Sequence, residues 1–153
     1  MVDSVDWMRS VTGKKEPSSP SQSEPTSTRV HSTYHRYASS LVEVIRARSE
    51  RWHAPVYAYC VMPDHVHLVL GPGSGCDVIR FVGEVKNLTQ RAVWAQGFEG
   101  RLWQPRFWDR ILREEEDVET VVQYVIHNPV RAGLVSEWHE WPASGSWVFD
   151  LDR

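Results

Sequence analysis

Four side chains in this sequence have the types and spacing to do chemistry: His65 and His67, two positions apart, and Tyr124 and Asn128, four apart. If the run HVHLVL is extended, His65 and His67 project side by side while Val66, Leu68 and Leu70 point to the other face. Two imidazoles so placed can chelate one metal ion, although a His-x-His pair is also compatible with satisfied structural histidines. At about 100° per helical residue, Tyr124 and Asn128 lie one turn apart on one flank of the stripe Val118, Val121, Val122 and Val125. They present either a phenol and a carboxamide where helix meets sheet, or an amphipathic ring at a core edge beside an amide stopped by Pro129. His127 falls on the opposite face and reads as a surface residue; Asp64 reads as a turn residue rather than a further ligand.

The elements that must position these groups follow from periodicity. Ala38, Leu41, Val42, Ile45 and Trp52 recur at helical spacing and predict a first helix from Ala38. Pro55 separates it from VYAYCV, and the Met62-Pro63-Asp64 break leads into HVHLVL, together an antiparallel hairpin. After a glycine-rich loop, Asp77 is a candidate N-cap for a helix with Val78, Phe81, Val82, Val85, Leu88 and Ala92 on one stripe. WQPRFWDRIL reads as an irregular strand whose proline suits a sheet edge. A last helix begins in the acidic block at Glu114–Asp117 and stops at Asn128-Pro129. The order helix, strand, strand, helix, strand, helix predicts an α+β fold, a small antiparallel sheet with helices on one face.

With 153 residues the chain has the size of one domain that can bury a core without disulfides. Residues 1–30, rich in Ser and Pro over Glu16–Thr28, are expected to form a flexible tail, and 31–153 the domain. Cys60 and Cys76 match no metal-ligand or redox spacing, and no apolar stretch approaches the ~20 residues of a membrane span. No targeting signal is read in residues 1–29, so the expectation is a cytoplasmic protein with no membrane partner. A net charge of -3 argues against a non-specific nucleic-acid binder. Locally, however, Arg101, Arg106, Arg110 and Arg113 face a single acid, Asp109, and alternate with Trp103, Phe107 and Trp108. Most of the eight tryptophans are read as packing; a minority could stack on unpaired bases.

The segments YCVMPDHVHLVL, WQPRFWDRIL and YVIHNPVRAGLV, in this order and at these separations, closely resemble the REP-associated tyrosine transposases, a branch of the single-tyrosine HUH transposases. The resemblance spans roughly Tyr37 to Trp147. It implies a ferredoxin-like or RNA-recognition-like sheet with the histidine strand near its centre. It also implies that His65, His67 and Asn128 hold Mg²⁺ or Mn²⁺ and that Tyr124 is the catalytic nucleophile. The implied reaction is transesterification of single-stranded DNA at hairpin-forming repeats through a 5′-phosphotyrosine link, by a monomer or a homodimer. Lys86, Arg101, Arg106 and Arg110 are candidates for phosphate contacts, against the alternative of solvated surface charge.

Relatives open the domain with a strand that nothing in Val30–Tyr37 reproduces, so the first strand is expected to be missing or degenerate. Two other functions are compatible with these residues. One is a DNA-hairpin-binding protein that does not cleave; the other is a metal-dependent phosphoesterase that uses His65 and His67 with water as nucleophile.

Overall fold

The structure, a computed structural model, describes residues 3–7, 26–71, 74–75, 77–103, 108–111 and 117–151, with backbone alone for 3–7, 26–35 and 108–111. In chain order the elements are β1 (Asp3–Trp7), α1 (Thr26–Trp52), β2 (Val56–Val61), β3 (Val66–Leu70), α2 (Val78–Ala95), β4 (Trp108–Ile111), α3 (Val118–Ile126) and α4 (Asn128–Arg131). A 3₁₀ turn at Trp138–Glu140 and a short β5 at Ser144–Gly145 follow. The strands form one antiparallel sheet in the order β4-β1-β3-β2-β5. The first six elements give the β-α-β-β-α-β succession of a ferredoxin-like fold. β3, which carries His67, is the central strand, and β4 lies at an edge, as its proline-containing approach led us to expect.

The first strand is present, which corrects the expectation that it is missing or degenerate. Asp3–Trp7 lies between β3 and β4, with Asp6 opposite His67 and Asp109 opposite Val5. Residues 30–37, where such a strand was sought, belong instead to α1, which starts at Thr26 rather than at Ala38. DSVDW has five residues and two acids, too little for periodicity to mark; its backbone is committed by ladder partners on both sides. Those partners lie far along the chain. Of the tail expected over residues 1–30, residues 8–25 lie outside the described residues.

α1 and α2 form from the predicted stripes. Ala38, Leu41 and Ile45 of α1 and Phe81, Val82, Val85 and Val93 of α2 are buried. Asp77 caps α2 as expected, its carboxylate accepting from the Arg80 backbone N–H at 2.7 Å. Asp117 does the same for α3, and bonds from Thr120, first from its side chain and then from its backbone, hold the Asp117 carboxyl below the usual range.

Helices on one face of the sheet is the second expectation that needs correction. Directly paired residues share a face, so Tyr59 goes with Leu68 on one side and Cys60 with His67 on the other. Burial raises the Tyr59 pKa while Arg46 of α1 opposes it; burial pushes the Cys60 thiol up to about 12 while Arg131 of α4 opposes it. Cys60 and Val69 on the histidine face and Val66 and Leu68 on the other are all buried, so both faces are covered. α1 lies on β2 and against α2, near Tyr59, and α3 lies on β2 and β3 and leads into α4, near Cys60. The reason is legible in VYAYCV and HVHLVL, which are near-continuous apolar runs, and both faces of such strands need cover.

The C-terminal segment is anchored by Trp141, 2 % exposed, whose indole N–H donates to the Val61 carbonyl at 2.9 Å. Val61 N–H in turn bonds the Ala143 carbonyl at 2.8 Å, ahead of β5 on β2. Trp141→Ala removes the largest fully buried side chain, and we expect a loss of about 3–5 kcal/mol in urea unfolding. A midpoint within error of the parent would show that the segment is not part of the cooperative core.

Candidate metal and tyrosine site

The histidine pair is built by the β2–β3 hairpin. Met62 N–H bonds the His65 carbonyl at 2.7 Å and closes the Pro63-Asp64 connection, so His65 enters the ladder as the residue preceding β3. The two rings stand perpendicular with centroids 4.6 Å apart, and their Nε2 atoms are separated by 2.8 Å. Val66, Leu68 and Leu70 are buried on the opposite face, as strand alternation requires.

Asp64, read from sequence as a turn residue, does more. Its carboxylate oxygen lies 2.6 Å from His65 Nδ1, a contact in which the carboxylate accepts, and the other ring nitrogen, Nε2, faces His67. Orientation of a ligand imidazole by a carboxylate on its far nitrogen is the usual outer layer of a metal site. Metal–nitrogen bonds of about 2.0–2.1 Å meeting near a right angle place two nitrogens about 3 Å apart. The pair therefore fits a metal with little movement. Among the described residues no group of three or more His, Cys, Asp or Glu is arranged to hold a metal. Cys60, beside His67 in the register, is buried and kept as a neutral thiol. For Asp64→Asn we expect Mn²⁺ affinity to fall about 10–100-fold, read by calorimetric titration, with the fold intact. An unchanged affinity would leave Asp64 its turn role only.

The second half of the site is on α3 and α4. Val122, Val125 and Ile126 are buried where α3 crosses β2 and β3, which leaves Tyr124 on the outer flank at 60 % exposure. α3 ends at Ile126, with His127 as its C-cap, two residues before Asn128, and Pro129 lies in the first turn of α4 instead of ending helical structure. His127 Nδ1 lies 2.8 Å from the Gln123 carbonyl and takes no part in the site. Gly133, at φ +70, closes α4: its N–H bonds Val130 O, and Leu134 N–H bonds Pro129 O.

Tyr124 and Asn128 are joined by a residue that sequence reasoning did not single out. The Arg131 guanidinium sits 3.7 Å from the Tyr124 ring centroid and donates from Nη2 to Asn128 Oδ1 at 2.8 Å. Asn128 Nδ2–H donates to Val125 O at 3.1 Å, so both ends of the amide are held by neighbouring turns. The signal was the spacing of Arg131, three residues after Asn128 and seven after Tyr124, hidden by the proline between them. Arg131 also opposes the rise of the Cys60 pKa, which sets this end of α4 over the histidine face of the sheet.

Of the candidate phosphate contacts, two have described side chains, and neither takes part in the bonds and ring contacts described above for His65, His67, Tyr124 and Asn128. Lys86 is on α2, in the layer over the other face, and burial lowers its pKa. Arg101 is exposed in the loop after α2, Arg110 is known only as backbone of β4 opposite Ser4, and Arg106 lies outside the described residues.

The sheet, its central histidine pair and the tyrosine helix can be set beside known proteins. Residues 25–128 match the family of IS200-like transposases, and the chain belongs to that family. It is distantly homologous to the REP-associated tyrosine transposases. One from Escherichia coli is 32 % identical over 89 residues, covering 58 % of this chain and 52 % of that protein. A candidate of the same kind from Haemophilus influenzae is 28 % identical over 119 residues, covering 71 % and 68 %. The match thus spans about half the length of the first relative. A REP-associated tyrosine transposase solved with a REP hairpin superposes with TM-score 0.62 at 24 % identity, over 94 % of this chain and 74 % of that one. A candidate transposase from Deinococcus radiodurans gives 0.51 at 21 % identity, over 84 % and 89 %. No described helix is long and apolar enough to cross a membrane.

Proposed function

We propose that this chain is a metal-dependent tyrosine transesterase that cuts and rejoins single-stranded DNA beside hairpin-forming repeats. The observation that carries this reading is the convergence of His65 and His67 Nε2 at 2.8 Å, oriented by Asp64, on the face that α3 and α4 cover. His65, His67 and Asn128 Oδ1 would hold Mg²⁺ or Mn²⁺, which supplies polarisation of the scissile phosphate and stabilisation of the departing 3′ oxygen. Tyr124 Oη attacks phosphorus and loses its proton, the bond to the 3′ oxygen breaks, and that oxygen leaves as a hydroxyl. The 5′-phosphotyrosine keeps the phosphoester for a later attack by another 3′-hydroxyl, which returns the phenol. Arg131 lies over the Tyr124 ring and donates to Asn128 Oδ1, which ties the positions of the two side chains together and leaves the oxygen's second lone pair for a metal.

Hairpin recognition is proposed on the likeness to the relative solved with a REP hairpin. A strand at β1 gives β3 a neighbour on both sides, which supports a complete sheet under the histidine pair. Labelled single-stranded hairpin DNA with its flanking sequence, incubated with the protein in Mn²⁺ or EDTA, should give a denaturant-resistant adduct in Mn²⁺ only. Binding with no adduct would support the hairpin binder, and multiple turnover on small phosphoesters would support the hydrolase.

A further inference from the structure

The α1–α2 layer carries a separate concentration of charge, on the face of the sheet away from the histidines. A cleft of about 290 Å³ between the last turns of α1 and the first half of α2 is lined by Arg48, Arg51, Trp52, Arg80, Glu84 and Asn87. Three guanidinium groups face one carboxylate. Glu84 Oε2 accepts from Trp52 Nε1–H at 2.8 Å and from Arg48 Nη1 at 3.3 Å, and Oε1 lies 3.6 Å from Arg80 Nε. These bonds, that of Trp52 foremost, hold the Glu84 carboxyl below the usual range, so it stays ionised and engaged.

The remaining charge is not matched. Three cations against one anion leave an excess of two positive charges in a chain whose net charge is -3. Arg51 has no acidic partner among the described residues; it lies 5.2 Å from the Trp52 ring centroid, and Arg80 lies 4.3 Å from it. Stacking on an indole orients a guanidinium while leaving its N–H edge for another ligand. In the wall of the cleft, Arg48 Nε is buried with no acceptor, an uncommon state for a buried donor.

We propose that this cleft takes backbone phosphates of the DNA hairpin stem. Planar guanidinium groups bind phosphate oxygens through paired, charge-assisted bonds, and the excess charge is of the sign that a nucleic-acid backbone requires. A stem held on the α1–α2 layer leaves the flanking single strand to reach the other face, where Tyr124 stands. The proposal rests on the nucleic-acid reading above, and its test does not require cleavage.

Hairpin DNA affinity is measured in EDTA, where no adduct is expected, across a series of salt concentrations, with the full chain and an Arg51→Gln, Arg80→Gln double variant. The variant should bind about tenfold more weakly at low salt, and the slope of log K against log salt should fall by roughly one to two. Glu84→Gln, which removes the competing carboxylate, should bind more tightly than the parent. Circular dichroism melts confirm that the variants are folded. An unchanged slope and affinity in the folded double variant overturns the proposal, including the case in which an acidic peptide proves to be what the cleft holds. A parent chain that binds with this salt dependence but never forms an adduct overturns the transesterase reading and leaves this one standing.

Discussion

Tyr124→Phe is expected to abolish the covalent DNA adduct, lowering its rate of formation by at least about a thousandfold, while hairpin binding changes less than twofold. Phenylalanine keeps the ring on which Arg131 stacks and removes only the hydroxyl. At 60 % exposure that hydroxyl contributes little to the core, so stability should stay within about 0.5 kcal/mol of the parent. The comparison therefore isolates the nucleophile from the fold. A Phe variant that still forms adduct would move the nucleophile elsewhere, and no other described residue is offered in the same way by the tyrosine helix.

His67→Ala is expected to have the next largest effect, on metal binding and on adduct formation together. The variant deletes one of the two Nε2 atoms and leaves His65, still oriented by Asp64, as a single imidazole. Loss of an outer carboxylate costs about 10–100-fold in metal affinity, and loss of a ligand should cost more than about 100-fold. Calorimetric titration with Mn²⁺ reads the binding, and the adduct assay in saturating Mn²⁺ reads the consequence. His67 is half-buried in the central strand opposite Cys60, so a thermal melt must accompany the titration. Wild-type affinity in a folded His67→Ala protein would exclude the histidine pair as the metal site and with it the mechanism above.

The two variants bear on different halves of one geometry, and the halves were not equally legible. The hairpin of β2 and β3 reads directly from two apolar runs around Met62-Pro63-Asp64, and strand alternation alone places His65 beside His67. α2 follows from its stripe and its Asp77 cap, and the end of α3 from Asn128-Pro129 within two residues. Each of these rests on interactions within a few residues, where period, capping and turn chemistry decide. The role of Asp64 was missed because a residue between Pro63 and His65 has an adequate local explanation as a turn; its bond to Nδ1 depends on a side-chain rotamer.

What the sequence by itself determined is the set of reactive groups and the local elements near them: the His pair at the start of a strand, Tyr124 on a helix with Asn128 one turn later, which the structure puts at the start of α4. Only the tertiary structure decided how those elements meet. It seats Asp3–Trp7 beside the histidine strand across a long stretch of chain, and sends α3 and α4 to the opposite face from α1 and α2. It also brings Arg131 onto Tyr124, and Arg48, Arg51 and Arg80 around Trp52. A five-residue strand carries too few side chains to declare its partner, and a guanidinium can swing to any acceptor within reach of its stem. Such choices are made by long-range pairing and by the burial of both sheet faces, which no local period encodes.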